Sequence, residues 1–206
     1  MNDDLEQNKI KNGKDSYHHK NLKEALITAG IDMIYQDGIL DFSLRKLSKK
    51  VGVSPTACYN HFKNLEDLLQ SIFDYISEQF AQALSEAVEK NEYNSITISM
   101  GCEYVKFFAE HPNYFSLLFD SKSLGIEIGE DHIDFSPIFS PMEIFKENTL
   151  KELRTFRIPE EELRDDLLIM WGAAHGLAAM ANMRGIHYEG DWVSLTENLL
   201  RRKIVL

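Results

Sequence analysis

Two cysteines in 206 residues leave no disulfide framework to build on. Cys58 and Cys102 fall in separate predicted helices and read as small buried hydrophobes in a reducing, cytoplasmic compartment. No apolar run approaches the ~18 residues of a membrane-spanning helix, so no membrane partner is expected. The start of the chain is polar and acidic and has no signal-peptide pattern. Internal repeats and strand-like alternation are missing, as are a nucleophile elbow, a P-loop and a dinucleotide fingerprint. The expectation is no enzyme, no catalytic residues, no cofactor and no metal. Positive charge is also short: 22 Lys and Arg stand against 33 Asp and Glu, a net −11. That balance speaks against a nucleic-acid partner until its distribution is read. Residues 17–63 hold seven basic and four acidic side chains, net +3, while residues 64–206 hold twelve and twenty-five, net −13. A basic end on an acidic body can dock on phosphates through that end alone.

What is present is a 44% hydrophobic composition, enough for a real core, and one punctuated stretch, Phe42–Lys63, FSLRKLSKKVGVSPTACYNHFK. Ser43 is an N-cap candidate, and Leu44, Leu47 and Val51 follow on one helical face. Arg45, Lys46, Lys49 and Lys50 fall on the wet side. Gly52 ends this helix where a positive φ is needed. Ser54 caps the next, with Pro55 at its first position. Leu44, Leu47, Val51, Val53 and Cys58 make a small shared core, leaving Pro55, Thr56, Ala57, Tyr59 and Asn60 near an outward face. A short exposed helix after a glycine turn is the geometry with which a helix-turn-helix enters the major groove.

This stretch resembles the DNA-binding domain of the TetR (tetracycline repressor) family. The resemblance rests on Leu44-Arg45-Lys46-Leu47, Val51-Gly52-Val53-Ser54, Cys58-Tyr59-Asn60-His61-Phe62-Lys63-Asn64 and Leu65-Glu66-Asp67-Leu68-Leu69. The family commonly has Leu-Tyr-x-His-Phe at the end of its recognition helix, and Cys58 takes the Leu place. The similarity covers about His19 to Leu69. Trp171-x-x-x-His175-Gly176 also resembles a signature in one group of the family's C-terminal domains. The resemblance implies an all-α chain with a three-helix helix-turn-helix domain and a larger helical domain for ligand binding and dimerisation.

The rest of the chain reads accordingly. Residues 1–16 are an aperiodic arm expected to be disordered, residues 17–63 the DNA-binding domain, and residues 64–206 the larger domain. A first helix from about His19 to Gln36 presents Leu22, Leu26, Ala29 and Met33, and Asp37-Gly38 stops it. Asn64 caps a long helix to about Lys90. His111-Pro112 breaks the helix that follows, and a short one comes after. Ser121 to Phe135 reads as a loop. Ser140-Pro141-Met142-Glu143 reads as a capping box. Pro159 and the acids Glu160 to Glu162 start the next helix by matching its dipole, and Asp191 starts the last.

The candidate DNA-binding residues are Ser43, Arg45, Pro55, Thr56, Ala57, Tyr59, Asn60, His61 and Lys63. Of these, Arg45, Tyr59, His61 and Lys63 are expected on phosphates, and Pro55, Thr56, Ala57 and Asn60 near base edges. Met100, Tyr104, Phe107, Phe108, Phe115, Phe119, Met142, Phe145, Met170, Trp171, Ala174 and His175 are either plain core or the lining of an apolar ligand pocket. Asp131-His132-x-Asp134 reads as an acidic loop before it reads as a metal site. By resemblance, the last two helices pair with a second subunit, with Leu163, Leu167, Ala178, Ala181, Trp192, Leu195 and Leu199 at the dimer interface. The expected function is a sequence-specific DNA-binding regulator, a homodimeric repressor released from double-stranded operator DNA by a small apolar or aromatic effector. The alternative is a helical binding protein or enzyme whose N-terminal domain does not read DNA.

Overall fold

The structure is a computed structural model, and residues 22–119, 125–135 and 139–204 are described. The expected arm at residues 1–16 and the start of the first helix lie outside them. The chain divides into two compact units, residues 1–72 and 73–206. The division falls inside the long fourth helix.

In the first unit, α1 spans residues 22–37. Its buried stripe is Leu26, Ile27, Ile31 and Ile34, whereas Leu22, Ala29 and Met33 stay half-exposed. The expected face is therefore turned by about a residue. Gly30 explains the turn: a Cβ there would stand 3.4 Å from Ile72 and 3.7 Å from Leu68, so the packed side of α1 is the side with no side chain at its centre. Gly38 ends α1 at φ 79°, its N–H returning to the Ile34 carbonyl at 2.9 Å. A 3₁₀ turn, Ile39–Asp41, leads to α2 (Leu44–Val51), α3 (Pro55–Tyr59) and the first turns of α4 (Leu65–Lys90).

In the second unit, α4 buries Phe73, Ile76, Phe80 and Leu84. The central helix is α5 (Ile96–Glu110), which packs against α7 (Ser140–Thr155), α8 (Glu160–Asn182) and α9 (Trp192–Ile204). A Cβ on Gly101 would run into Leu200, which is why α9 can lie so close to α5. Glu152 of α7 caps α5 from outside, accepting from the N–H groups of Ile96 at 3.1 Å and Thr97 at 2.7 Å. Two free backbone N–H groups, the helix dipole and the Ser95 hydroxyl, which also donates to it, face one carboxylate there. The helix α6 (Pro112–Phe119) follows the break at His111.

Two expectations are corrected. The stretch Ser121 to Phe135, read as a loop, holds an antiparallel hairpin, β1 (Ile126–Ile128) and β2 (Ile133–Phe135), with Ile126 opposite Phe135. Ile133 and Phe135 are buried and Asp134 between them is exposed, which is a strand alternation of only three residues. Residues 121–124 lie outside the described set. The capping box at Ser140 does not form. The helix begins one residue earlier, with Phe139 as its cap residue and no side-chain cap bond. Phe139 is fully buried against Phe73 and Phe119, which fixes the entry of the helix. Glu143 instead accepts from Lys146 at 3.0 Å. The fold is all-α apart from this hairpin, and among the described residues no helix is long and apolar enough to cross a membrane.

Candidate nucleic-acid interface

The turn between α2 and α3 is built from backbone. Gly52 sits at φ 79°, Val53 N–H reaches the Ser48 carbonyl at 2.9 Å, and Gly52 N–H reaches the Lys49 carbonyl at 3.3 Å. This pair of bonds is the Schellman arrangement, which only a residue at ease with positive φ closes without strain. Ser43 Oγ accepts from Lys46 N–H at 3.2 Å and Ser54 Oγ from Ala57 N–H at 3.1 Å, so both helices start on a hydroxyl cap. Leu47, Cys58 and Phe62 are fully buried beneath the turn, and burial pushes the Cys58 thiol up, away from reactivity. Lys23 Nζ lies 5.9 Å over the Phe62 ring, tying α1 to the end of α3.

That scaffold sets the outward face. Pro55, Thr56, Tyr59 and Asn60 are exposed on α3, with Ala57 and His61 half-buried beside them. Arg45, Lys49, Lys50 and Lys63 are exposed, and among the described residues none of the four makes an ion pair. Lys46 differs: its ammonium donates to the Asp41 carbonyl at 2.6 Å. Lys63 is held at its backbone, where its N–H donates to Asp67 at 2.9 Å, while Asn64 Oδ1 accepts from Asp67 N–H at 2.8 Å. The structure thus gathers the expected residues on one unit, with Ser43 spent on capping. Leu40, 98% exposed on the 3₁₀ turn, carried no signal in the sequence beyond its place next to a glycine stop.

In the second unit the expected pocket residues do come together. Tyr104, Phe108, Phe145, Met100, Met142 and Ala174 are completely buried, and Met170 almost so. Phe80 stacks on Phe107 at 5.1 Å and meets Tyr104 edge-on at 4.9 Å. His175 sits among Phe119 at 4.6 Å, Phe115 at 5.2 Å and Trp171 at 5.9 Å. Its Nδ1 is hydrogen-bonded to the Tyr104 hydroxyl at 2.9 Å. Burial pulls the His175 pKa down and pushes the Tyr104 pKa up, so both are neutral at pH 7. The rings are in mutual contact, and the half-buried members Phe115, Phe119, Trp171 and His175 form the accessible side.

The expected dimer residues divide. Leu163, Leu167 and Ala178 are at most 3% exposed within this one chain, where they face its own core. Ala181, Trp192 and Leu195 are half-exposed and Leu199 is exposed. The outer side of α8 instead shows Ile169, Gly172, Gly176 and Met180. A Cβ on either glycine would meet nothing within 4 Å. Among the described residues no group of three His, Cys, Asp or Glu side chains could hold a metal. His132 pairs with Asp131 at 2.7 Å, which raises its pKa, and lies 3.9 Å from Asp134.

Comparison with known proteins accords with this geometry. Residues 26–72 match the family of bacterial regulatory proteins, tetR family. A stretch of 93 residues, 45% of this chain, is 26% identical to the uncharacterized HTH-type transcriptional regulator YobS of Bacillus subtilis and spans 49% of that protein. Among solved structures, a tetR-family regulatory protein from Rhodococcus RHA1 has a TM-score of 0.65 at 14% identity, covering 89% of this chain and 95% of its own. The regulator FadR from Bacillus subtilis, solved in complex with stearoyl-CoA, has a TM-score of 0.64 at 18% identity, covering 88% and 97%. At these identities the structural likeness speaks for the fold.

Proposed function

We propose that the chain is a member of the tetR family of bacterial regulatory proteins, whose model its residues 26–72 match, and that it is a sequence-specific DNA-binding transcriptional regulator acting as a cytoplasmic homodimer. The observation that carries this reading is the capped, glycine-turned α2–α3 unit with exposed Arg45, Lys49, Lys50 and Lys63 around an exposed recognition helix. Arg45, Tyr59, His61 and Lys63 hold phosphates, and Pro55, Thr56, Ala57 and Asn60 face base edges. With no long bidentate side chain on α3, part of the specificity comes from DNA shape. A gel shift with DNA from upstream of its own gene tests the reading. Binding should fall steeply with salt. Lys63→Ala should weaken binding to all sequences alike and lower the salt slope by about one. Absence of any shifted complex, or an unchanged slope in the variant, would count against it.

The regulator is a repressor released by a small apolar or aromatic effector that enters at the ring cluster around His175. What supports this is the density of rings around one neutral, hydrogen-bonded Tyr104–His175 pair, the composition from which ligand sites are commonly made. An effector there acts by favouring one dimer geometry over another. A hundredfold loss of DNA affinity corresponds to about 2.7 kcal/mol of coupling. The dimer forms through the outer side of α8 and α9, around Ile169, Gly172, Gly176 and Leu199, where among the described residues nothing lies within 4 Å of a Cβ on either glycine.

A further inference from the structure

A cleft of about 440 Å³ opens in the second unit, lined by none of the rings around His175. One wall is a face of α4 with Gln82, Ala83, Glu86 and Ala87, and the other is a face of α5 with Cys102, Glu103 and Lys106. Glu92, Tyr93 and Val193 close one end. Its size falls in the range of small-molecule sites.

The closed end is preformed. Asn91 and Asn94 hold the α4–α5 turn in left-handed conformations at φ 42° and 56°, which asparagine tolerates better than most residues. Tyr93 N–H donates to Ser99 Oγ at 3.3 Å, and Arg201 of α9 donates to the Tyr93 carbonyl at 3.1 Å. The Cys102 thiol is turned toward the Val193 carbonyl, 3.8 Å away. Tyr93 and Cys102, with Ala83, Ala87 and Val193, form an apolar patch in an otherwise polar cleft that Gln79, Gln82 and Ser99 also line.

The rim has an excess of carboxylates. Both ammonium groups are already engaged, Lys90 with Glu86 at 3.1 Å and Lys106 with Glu103 at 3.5 Å. Glu92 is left over. We propose that this cleft binds a small organic cation, with its ammonium on Glu103 in place of Lys106 and its apolar body on Tyr93, Ala83, Ala87 and Val193. Anionic ligands are turned away by Glu86, Glu92 and Glu103. Burial raises the pKa of Glu103 against the opposing pull of Lys106, so its carboxylate lacks water and depends on the cation beside it, the place that the ligand's ammonium takes over from Lys106. Burial likewise pushes Tyr93 and Cys102 to about 12, so the patch stays neutral.

The probe is 2-phenylethylammonium, titrated calorimetrically into the full-length protein at pH 7.5, with 2-phenylethanol as its uncharged counterpart. Saturable binding of the ammonium is expected, with the alcohol roughly tenfold or more weaker. Glu103→Gln should weaken the ammonium about tenfold, and Ala83→Trp should abolish its binding. Lys106→Met should tighten it, a change of sign that a merely unstable variant does not produce. Equal binding of ammonium and alcohol, an unaffected Glu103→Gln variant, or no saturable heat at millimolar probe would each overturn the proposal.

Discussion

His175 shows how one side chain can be set by its surroundings. Its ring lies between Phe115, Phe119 and Trp171, with Nδ1 on the Tyr104 hydroxyl. Removing water from the ring disfavours its charged form, so its pKa in the folded state lies below the ordinary value near ~6.5. The folded chain then binds fewer protons than the unfolded chain between the two values. Stability therefore rises with pH through that window and is lost as pH falls through ~6.5 and below. In the protonated ring both nitrogens are donors, so the Tyr104 hydroxyl could then only accept from Nδ1. The expected result is that the melting temperature drops more between pH 7.5 and 5.5 in the wild type than in His175→Gln, which cannot titrate. Parallel pH profiles for the two would remove this role from His175.

At the scale of elements, the helix ends were the most legible feature of the sequence. Ser43, Ser54 and Asn64 cap as residues of their type do, because a side-chain oxygen near a free N–H is a local matter. Gly38 and Gly52 stop helices for the same local reason. What the sequence hid was tertiary. The face of α1 is chosen by the contact at Gly30, not by its largest side chains. The start of α7 is chosen by the burial of Phe139, which outweighs the cap that Ser140 offers. The hairpin escaped because two strands of three residues are too short for a period to emerge. Its support comes from outside it: Arg164 of α8 donates to the Gly129 carbonyl at 2.9 Å, and Lys146 of α7 to the Ile133 carbonyl at 3.2 Å. The ring cluster was legible as a set of residues, while the polar cleft beside Tyr93 was not, because its walls come from two helices whose facing sides only the fold pairs. The turn gives the sharpest test at this scale. Gly52→Ala places a Cβ at φ 79° with open space around it, so any loss is conformational rather than steric. Denaturant unfolding should show a loss of about 1–2 kcal/mol, with weaker DNA binding because the turn aims α3. A variant as stable as the wild type would mean that the turn relaxes to another conformation.

At the scale of the molecule, charge and symmetry have to work together. Residues 17–63 carry net +3 and residues 64–206 net −13, so the basic end is the part of the chain that phosphates attract. One five-residue recognition helix makes too few contacts for tight binding on its own, and a two-fold pair matches a palindromic site. The two sides of α8 make the proposed dimer testable. Ala178 is completely buried inside the chain, whereas Ile169 is 47% exposed on the opposite side. Ile169→Glu should leave helical content and melting of the subunit nearly unchanged, yet halve the mass seen by light scattering. Operator affinity should then fall at least about a hundredfold, while the weak, salt-sensitive binding to any DNA persists through the single basic end. Ala178→Glu should instead unfold the second unit, since it forces an unpaired carboxylate into the core. If Ile169→Glu remains dimeric and Ala178→Glu is folded but monomeric, the partner docks on the face assigned here to the core, and the packing of α8 against α5 would have to differ in the assembled protein.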